Sequence, residues 1–405
     1  MNRLILVKDA PEIGLKGKNR NRFRQRLIQN LLRAAELPPD RARDEPGRVY
    51  LHVSAEEMDG VLDALGRVFG AHSFAPAYRT EPNLDAAGEA CLRIAESTRL
   101  ENASFGVRVK RADRSFPVSS NEAERRLGAL LLNRFPSWRV DLTAPDLWAH
   151  VEFRHGSAYA YSSLDERAGP GGMPVGASGK ALALLSGGID SPAAAWMAMR
   201  RGLSVDAVHF HSFPFTGEKA KEKCLNLARV LSRWKTLPVN AYVLPFAETQ
   251  TAVAQKVDQS LWTLVFRRMM DRAALRLMKA RRYRALVTGD NLGQVASQTV
   301  ENLAAMDAAV DMLRLRPLIA YDKVDTIALA RRIGTYEISI LPYEDCCTAF
   351  APKQPKTKAT ARALEQAEAA LPVEALTDAC VNGAQLYRVR PDSVEEADAP
   401  DLKNA

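Results

Sequence analysis

Residues 186–191 read Ser-Gly-Gly-Ile-Asp-Ser, a short stretch holding two hydroxyls, two glycines and a carboxylate. An apolar run ends just before it, and an alanine-rich run opening with Pro192 follows. Proline suits the first turn of a helix, so the stretch reads as a strand-to-helix turn. Gly187 and Gly188 let the backbone bend and approach a ligand closely. The N–H groups freed there, with the helix N-terminus, make an anion site. A second chemical group is Cys346-Cys347, two adjacent thiols in a polar, proline-broken loop followed by Lys353, Lys356 and Lys358. Nearby cations favour the thiolate, the form that attacks, carries a persulfide or closes a disulfide.

The lysine of a GxxxxGK[ST] phosphate loop is missing from 186–191. A turn without it suits a released pyrophosphate better than a transferred γ-phosphoryl group. The stretch resembles the PP-loop of enzymes that split ATP into AMP and pyrophosphate. Such enzymes adenylate a carbonyl or amide oxygen, and a nucleophile then displaces AMP. The turn alone does not name that nucleophile: ammonia, an amine or sulfur would each fit. The cysteine pair supplies the sulfur candidate.

The surrounding elements must hold these groups. From residue 180, strand candidates at 181–185, 205–211, 239–244 and 285–289 alternate with helices at 191–201, 217–235 and 247–282. This is the pattern of an α/β doubly wound parallel sheet, whose ligands bind at the carboxyl ends of the strands. Residues 1–75 read as a small α+β unit, with strands at 3–8 and 49–53 and a helix on which Phe23, Leu27, Leu31 and Ala35 recur every four residues. Lys16, Lys18, Arg20, Arg22, Arg24 and Arg26 crowd the start of that helix, where cations oppose the dipole and call for an external anion. A solvated helix face is the alternative. Residues 85–165 form a second unit. In it, Val107 and Val109 alternate with Arg108 and Lys110, and Ser119 to Glu122 forms a capping box. Arg111, Arg114, Arg125 and Arg126 add to its basic side chains. Arg268, Arg272, Arg276 and Lys279 make an i, i+4 stripe that reads either as a nucleic-acid track or as a solvated face. The glycine-rich segment 166–179 reads as a linker, and the acidic tail 391–405 as disordered.

A length of 405 residues suits two or three domains, and a formal charge of +8 favours a polyanionic partner, though weakly. The cysteines at 91, 224, 346, 347 and 380 include no CxxC pair, so neither a disulfide framework nor a zinc site is expected. Cys91 and Cys224 fall in helical periodicity and read as core; Cys380 is open. No run reaches the ~20 apolar residues of a membrane span, and Leu4–Val7 is too short for a signal sequence. A soluble, cytoplasmic protein is expected.

Across residues 12 to 365 the chain resembles the tRNA 4-thiouridine synthetases, the ThiI family of tRNA sulfurtransferases. The resemblance rests on "EIGLKGKNR" (12–20), "KRADRSFP" (110–117), "PVGASGKALALLSGGIDSP" (174–192), "VHFHSFPFT" (208–216), "RRMM" (267–270), "TGDNLGQVASQT" (288–299), "RPLIAYDK" (316–323) and "YEDCCTAFAPKQPKTK" (343–358). It implies a ferredoxin-like domain over 1–60, a tRNA-binding THUMP domain over 61–165 and a PP-loop ATP pyrophosphatase domain over 180–390. Lys16, Lys18, Arg20, Arg108, Lys110, Arg111 and Arg114 would then meet the tRNA acceptor region. Phosphate contacts of that kind are salt-dependent.

By motif match, ATP is expected against Leu184 and Leu185, with its phosphates on Ser186, Gly187, Gly188, Asp190 and Ser191. His209 and Phe210 should flank the adenine, and Arg267, Gly289 and Gln298 add further contacts. Mg²⁺ accompanies ATP, with Asp290 a candidate to hold it or a water; His209 and His211 are not read as metal ligands. Cys347 matches the family's catalytic cysteine, with Cys346 the runner-up. No rhodanese domain is expected after the motif, so sulfur would come from an external persulfide donor resembling a cysteine desulfurase. The implied reaction adenylates O4 of uridine 8 in tRNA and installs sulfur at C4. A homodimer and a role in thiamine thiazole synthesis are further family expectations. The alternatives are a PP-loop enzyme with an amine nucleophile, a non-catalytic tRNA-binding protein, and an iron–sulfur tRNA thiolase. The last would recruit Cys224, Cys380 and one of the adjacent pair.

Overall fold

A computed structural model describes residues 2–113, 115–154, 156–343, 350 and 352–398. The chain divides into two compact units, Met1–Pro174 and Val175–Ala405.

The first unit is built on one sheet. Its strands are β1 (Asn2–Asp9), β2 (Ala42–Glu45), β3 (Arg48–Leu51), β4 (Ala71–Thr80), β5 (Ser104–Arg111), β6 (Arg139–Val140), β7 (Leu147–Arg154), β8 (Ser157–Ser162) and β9 (Arg167–Ala168). They run in the order β2-β3-β1-β4-β8-β7-β5-β6, with β9 on β4. β4 pairs antiparallel with β1 on one side and with β8 on the other. The domain boundary expected at residue 60 falls within helix Met58–Leu65, and the segments before and after it share one continuous sheet. On one half, Leu27, Ile28, Leu31 and Leu32 of helix Arg20–Ala34 pack with Val61, Leu62 and Leu65 of helix Met58–Leu65 over Ile5, Val7 and Phe74. On the other, Ile94 of helix Leu84–Thr98 packs with Leu127 and Leu131 of helix Ser120–Arg134 over Val107, Val109 and Val151. Ser119 caps the latter helix by accepting from Glu122 N at 3.2 Å, as the capping box predicts.

The segment read as a free linker is fastened down. Gly169 N donates to His72 O at 2.8 Å and Gly171 N to Ala71 O at 3.0 Å. Met173 is 2% exposed in the first unit's core. A Cβ on Gly169 would lie 2.4 Å from Ala71 O. That glycine serves close backbone approach rather than flexibility.

The second unit holds β10 (Lys180–Leu184), β11 (Ser204–His211), β12 (Val239–Pro245), β13 (Ala285–Val287), β14 (Arg314–Leu315), β15 (Gln385–Val389) and β16 (Val394–Ala397), in the order β14-β13-β10-β11-β12-β15-β16. The first five are parallel, and β15 and β16 add an antiparallel edge. β16 lies in the tail expected to be disordered; its backbone pairs with Leu386–Val389 although two of its four residues are glutamates. After β12 the chain crosses to the other side of β10. The crevice between β10 and β13 is therefore a topological switch point, the place where such sheets bind ligands.

One expected helix is broken. Residues 247–282 form helix Ala247–Lys256, a 3₁₀ turn at Gln259–Leu261 and helix Trp262–Arg281. Val257 is extended, and the Asp258 carboxylate takes the Ser260 N–H at 2.9 Å, starting the chain afresh. The basic stripe on the second helix faces carboxylates, not an RNA and not solvent. Arg268, 1% exposed, binds both oxygens of Glu368 at 2.6 and 2.9 Å, and Arg272 binds them at 3.0 and 2.7 Å. Arg276 pairs with Glu374 and Asp378. Lys279 alone of the four is exposed. Helices Ala361–Glu368 and Val373–Asn382 are thereby clamped to helix Trp262–Arg281. Burial would raise the Glu368 carboxyl, but its bonds to Arg272 and Arg268 outweigh burial and lower it.

Removing that carboxylate strands two guanidinium groups. Glu368→Ala should cost about 3 kcal/mol in urea unfolding at neutral pH. The wild type should lose the same contribution as pH falls below the ordinary carboxyl range, because the folded-state pKa is depressed.

Candidate active site

The Ser186–Ser191 turn leaves the end of β10 and enters helix Asp190–Arg200, with Pro192 in its first turn. Its shape is held from within. Ser186 N donates to Ser191 Oγ at 2.9 Å, and the Ser191 hydroxyl lies 3.1 Å from both the Ser186 carbonyl oxygen and Ser186 Oγ. Gly188 N reaches Ser186 Oγ at 3.3 Å. The two serines close a small ring, and the intervening backbone bulges toward the switch point. A Cβ on Gly289, just past β13, would lie 2.8 Å from Ser191 N and 2.9 Å from the Asp190 carbonyl carbon. Only glycine lets the two strand ends approach so closely.

A cleft of about 210 Å³ opens beside the turn, lined by Leu184, Leu185, Ser186, His209, Phe210, Arg267 and Gln298 among others. These seven, expected from sequence, come from four separate segments and meet at one cavity. Gly187, Gly188, Asp190, Ser191 and Gly289 belong to the adjoining turn and its packing partner. The cleft also uses Thr263 and Met270. Both were missed, yet with Arg267 they recur at i, i+4 and i+7 on one helix face. Val295 and Ser297 come from the loop after β13, which carries no periodic signal. The His209 Nδ1 lies 3.1 Å from the Leu185 carbonyl oxygen, an acceptor only, so this nitrogen carries the proton.

Charge is laid out in a row behind the cleft. Asp290, 1% exposed, accepts from Arg267 at 2.9 Å, Arg316 at 3.0 Å and Thr288 Oγ1 at 2.7 Å. Burial alone would raise its carboxyl; the Arg267 charge, the Thr288 hydroxyl and Arg316 outweigh burial and hold it at about 2. Arg316 also binds Asp307, which pairs with Arg314, and Arg314 reaches Asp271 at 2.9 Å. Asp290 is thus a positioning group for Arg267, saturated by its partners and unsuited to hold a metal. Asp190 differs. It sits at the helix start, partly exposed, with Lys323 Nζ at 2.7 and 3.0 Å and Gln294 Nε2 at 2.9 Å. Lys323 lies within a quoted motif but had no role assigned from sequence, being 133 residues from its partner.

Cys346 and Cys347 lie outside the described residues, as does Arg114. The chain on either side of the cysteine pair is anchored near the turn. Upstream, Lys223 Nζ donates to Leu341 O at 2.7 Å, and its aliphatic stem would be 3.2 Å from a Cβ on Gly187. Ser339 Oγ donates to Gly188 O at 3.3 Å. Downstream, Phe350 packs edge-on to Phe215, Trp262 and Phe266, with centroids 4.8, 6.2 and 5.8 Å away. Among the described residues no three His, Cys, Asp or Glu side chains converge as metal ligands. Cys91, Cys224 and Cys380 are buried; desolvation pushes the Cys91 and Cys380 thiols up to about 12, where they remain protonated at neutral pH. That environment opposes the cluster role weighed for Cys380.

The first unit's basic residues fall into two groups. Lys18 and Arg22 are exposed, and Lys16, Arg20 and Arg26 are half-buried. Arg24 turns inward, 4% exposed, onto Asp9, Asp44 and the carbonyls of Glu45 and Arg48. Its charge is answered within the fold, so it leaves the set that calls for an external anion. Arg108 and Lys110 project from β5 away from the core, with the Arg108 guanidinium 4.6 Å over the Trp148 ring. Arg111 donates to Val118 O at 2.9 Å. Among the described residues no helix is long and apolar enough to cross a membrane.

Three family descriptions match successive parts of the chain: the ThiI ferredoxin-like domain over residues 4–75, the THUMP domain over 81–162, and the thiamine biosynthesis protein ThiI over 176–373. The chain is 43% identical over 393 residues to a probable tRNA sulfurtransferase of Coxiella burnetii, covering 96% of this chain and all of that protein. It is also 43% identical over 383 residues to a probable tRNA sulfurtransferase of Moorella thermoacetica, covering 94% and 97%. Among solved structures, a 4-thiouridine synthetase–RNA complex with bound ATP superposes with a TM-score of 0.89 at 33% identity, covering 96% of this chain and all of that one.

The saturated Asp290 makes a pH-dependent contribution whose sign is set by its depressed pKa. Stability from this carboxylate is fully present above its ordinary value of 3.8 and is lost as pH falls toward about 2. Asp290→Asn should unfold about 3 kcal/mol more readily in urea near neutral pH, because it removes from a buried site the carboxylate that Arg267 and Arg316 share. The gap between variant and wild type should narrow as the pH is lowered through that window.

Proposed function

The chain belongs to the ThiI family of tRNA sulfurtransferases, and on that premise we propose that it adenylates O4 of uridine 8 in tRNA and replaces that oxygen with sulfur, giving 4-thiouridine. The observation that carries the reading is the convergence at one switch-point cleft of a serine-locked anion turn, the expected nucleotide residues and the anchored flanks of a cysteine pair.

ATP enters with its adenine between the strand end at His209–Phe210 and the Thr263–Met270 helix face. Its phosphates meet the N–H groups of the Ser186–Ser191 turn and the positive end of helix Asp190–Arg200. Arg267, steered by Asp290, adds a charge at the cleft wall. Lys323 supplies from afar the cation that a GxxxxGK[ST] loop carries in its own sequence. Where Mg²⁺ accompanies ATP, the partly exposed Asp190 is the carboxylate that would help to hold it, and the ion would neutralise phosphate charge. Uridine O4 attacks the α-phosphorus, and the bond from that phosphorus to pyrophosphate breaks. Groups aimed at the departing charge lower the barrier.

In the second half, the outer sulfur of a persulfide attacks C4, the C4–O bond breaks and AMP leaves. A thiolate then attacks the resulting S–S bond, freeing 4-thiouridine and leaving a disulfide that a thiol reductant reopens. Cys347 is the nucleophile or resolving thiol and Cys346 its alternate. The persulfide comes from an external cysteine desulfurase-like protein, and the reaction is read as cytoplasmic. Lys16, Lys18, Arg20, Arg108, Lys110 and Arg111 meet the tRNA backbone, so binding weakens with salt.

Pure protein incubated with tRNA, ATP–Mg²⁺ and sulfide should yield 4-thiouridine, read by its near-ultraviolet absorbance. With a persulfide-loaded cysteine desulfurase in place of sulfide, Cys347→Ala should abolish 4-thiouridine formation while pyrophosphate release persists; full thiolation in that variant would remove Cys347 from the mechanism. Lys323→Ala should change the unfolding free energy by under ~1 kcal/mol, because the pair is partly exposed. The same variant should slow pyrophosphate release by ~10²-fold. Unchanged release would exclude Lys323 from the phosphate site.

A further inference from the structure

Asn302 has no part in the cleft lining, yet its side chain is fully buried and both N–H groups and the oxygen of its amide bond to backbone. Its Nδ2 donates to Ala296 O and to Lys356 O, each at 2.8 Å, and its Oδ1 accepts from Ala359 N at 2.9 Å. Thr299, which caps the same helix Val300–Asp307, donates its hydroxyl to Thr357 O at 2.7 Å and accepts from Asn302 N at 3.2 Å. One helix start therefore grips two strands of chain. The first is the loop 291–299, which lines the cleft through Val295, Ser297 and Gln298 and touches Asp190 through Gln294. The second is 356–359, the chain returning from Cys346 and Cys347. The amide is the only side-chain type that donates twice and accepts in this geometry; a carboxylate would face two carbonyl oxygens with like partial charge.

We propose that Asn302 is a positioning residue for the sulfur-transfer half of the reaction, setting the register of 356–359 against the nucleotide-cleft loop. It acts through the chain it holds and touches no reacting atom. The inference rests on the two-step reaction proposed above. Loss of the amide lets 356–359 slip while the turn, Asp190, Lys323 and Arg267 keep their own contacts. Adenylation then continues and sulfur delivery fails.

The test uses the full chain with tRNA and ATP–Mg²⁺ and follows pyrophosphate release and 4-thiouridine formation in parallel, with a persulfide-loaded cysteine desulfurase as donor. Asn302→Asp should lower 4-thiouridine formation ~10²-fold, the scale of a misplacement near 1 Å, and, because the amide also holds Ala296 O of the cleft loop, should change pyrophosphate release and the KM for ATP by a clearly smaller factor, within ~10-fold. Thr299→Val, which removes the neighbouring hold on Thr357 O, should split the two readouts in the same direction, and Thr299→Ser should restore both. Should Asn302→Asp fail to fold, the threonine pair carries the same test. Equal falls in both readouts, or no change in either, would overturn the positioning role while leaving the reaction intact. If the wild type itself releases no pyrophosphate with tRNA, it is the proposed function that falls.

Discussion

The Ser191 hydroxyl, set against the Ser186 backbone, is the contact on which the second unit's chemistry turns. It converts the end of β10 into a closed ring rather than a loose loop. Gly289 packs its bare α-carbon against that ring, which is possible only because β10 and β13 are adjacent and parallel. Cleft, turn and the Asp190–Lys323 pair then share one rigid reference. A bulkier residue at 289 would not merely fill space; it would move the backbone that presents the anion site.

Around that reference the charges follow a simple rule: those that are buried are answered. Asp290 is held ionised by two arginines and a hydroxyl, Glu368 by two arginines, and Arg24 by two carboxylates and two carbonyls. Buried pairs of this kind contribute little net stability compared with apolar packing, but losing one partner is costly. Their use here is geometric. Asp290 aims Arg267 at the cleft, and Glu368 pins the helix that follows the cysteine-bearing stretch.

The chain on both sides of the cysteine pair is tied to the nucleotide side of the sheet. Leu341 is held by Lys223 beneath Gly187, Phe350 sits in an aromatic box, and 356–359 hang on Asn302. In the reaction proposed above, an adenylated intermediate is reactive toward water, and sulfur delivered from chain anchored there would shorten its lifetime.

Local signals were enough for much of this. The glycine–serine turn before a proline-started helix, the β–α alternation after residue 180 and the capping box at Ser119 are legible in residue order, because each depends on neighbours within a few positions; the cleft residues from other segments were expected only through the family resemblance. Four features were not. The break at Val257–Asp258 looked like continuous helix because apolar periodicity survives on both sides of it. The glycines of 167–172 looked like a linker because a glycine needed for close approach reads the same as one needed for freedom. The basic stripe at 268–279 read as either an RNA track or a solvated face because the carboxylate partners of its arginines lie about a hundred residues away in sequence. Lys323 had no assigned role for the same reason. Sequence by itself determined which residues could make a phosphate turn and a sulfur carrier, since that chemistry is written in side-chain type and short spacing. Only the tertiary structure decided which charges are spent inside the fold and which face a ligand, since pairing energy depends on distance in space and on exclusion of water, and neither is encoded in the order of the chain.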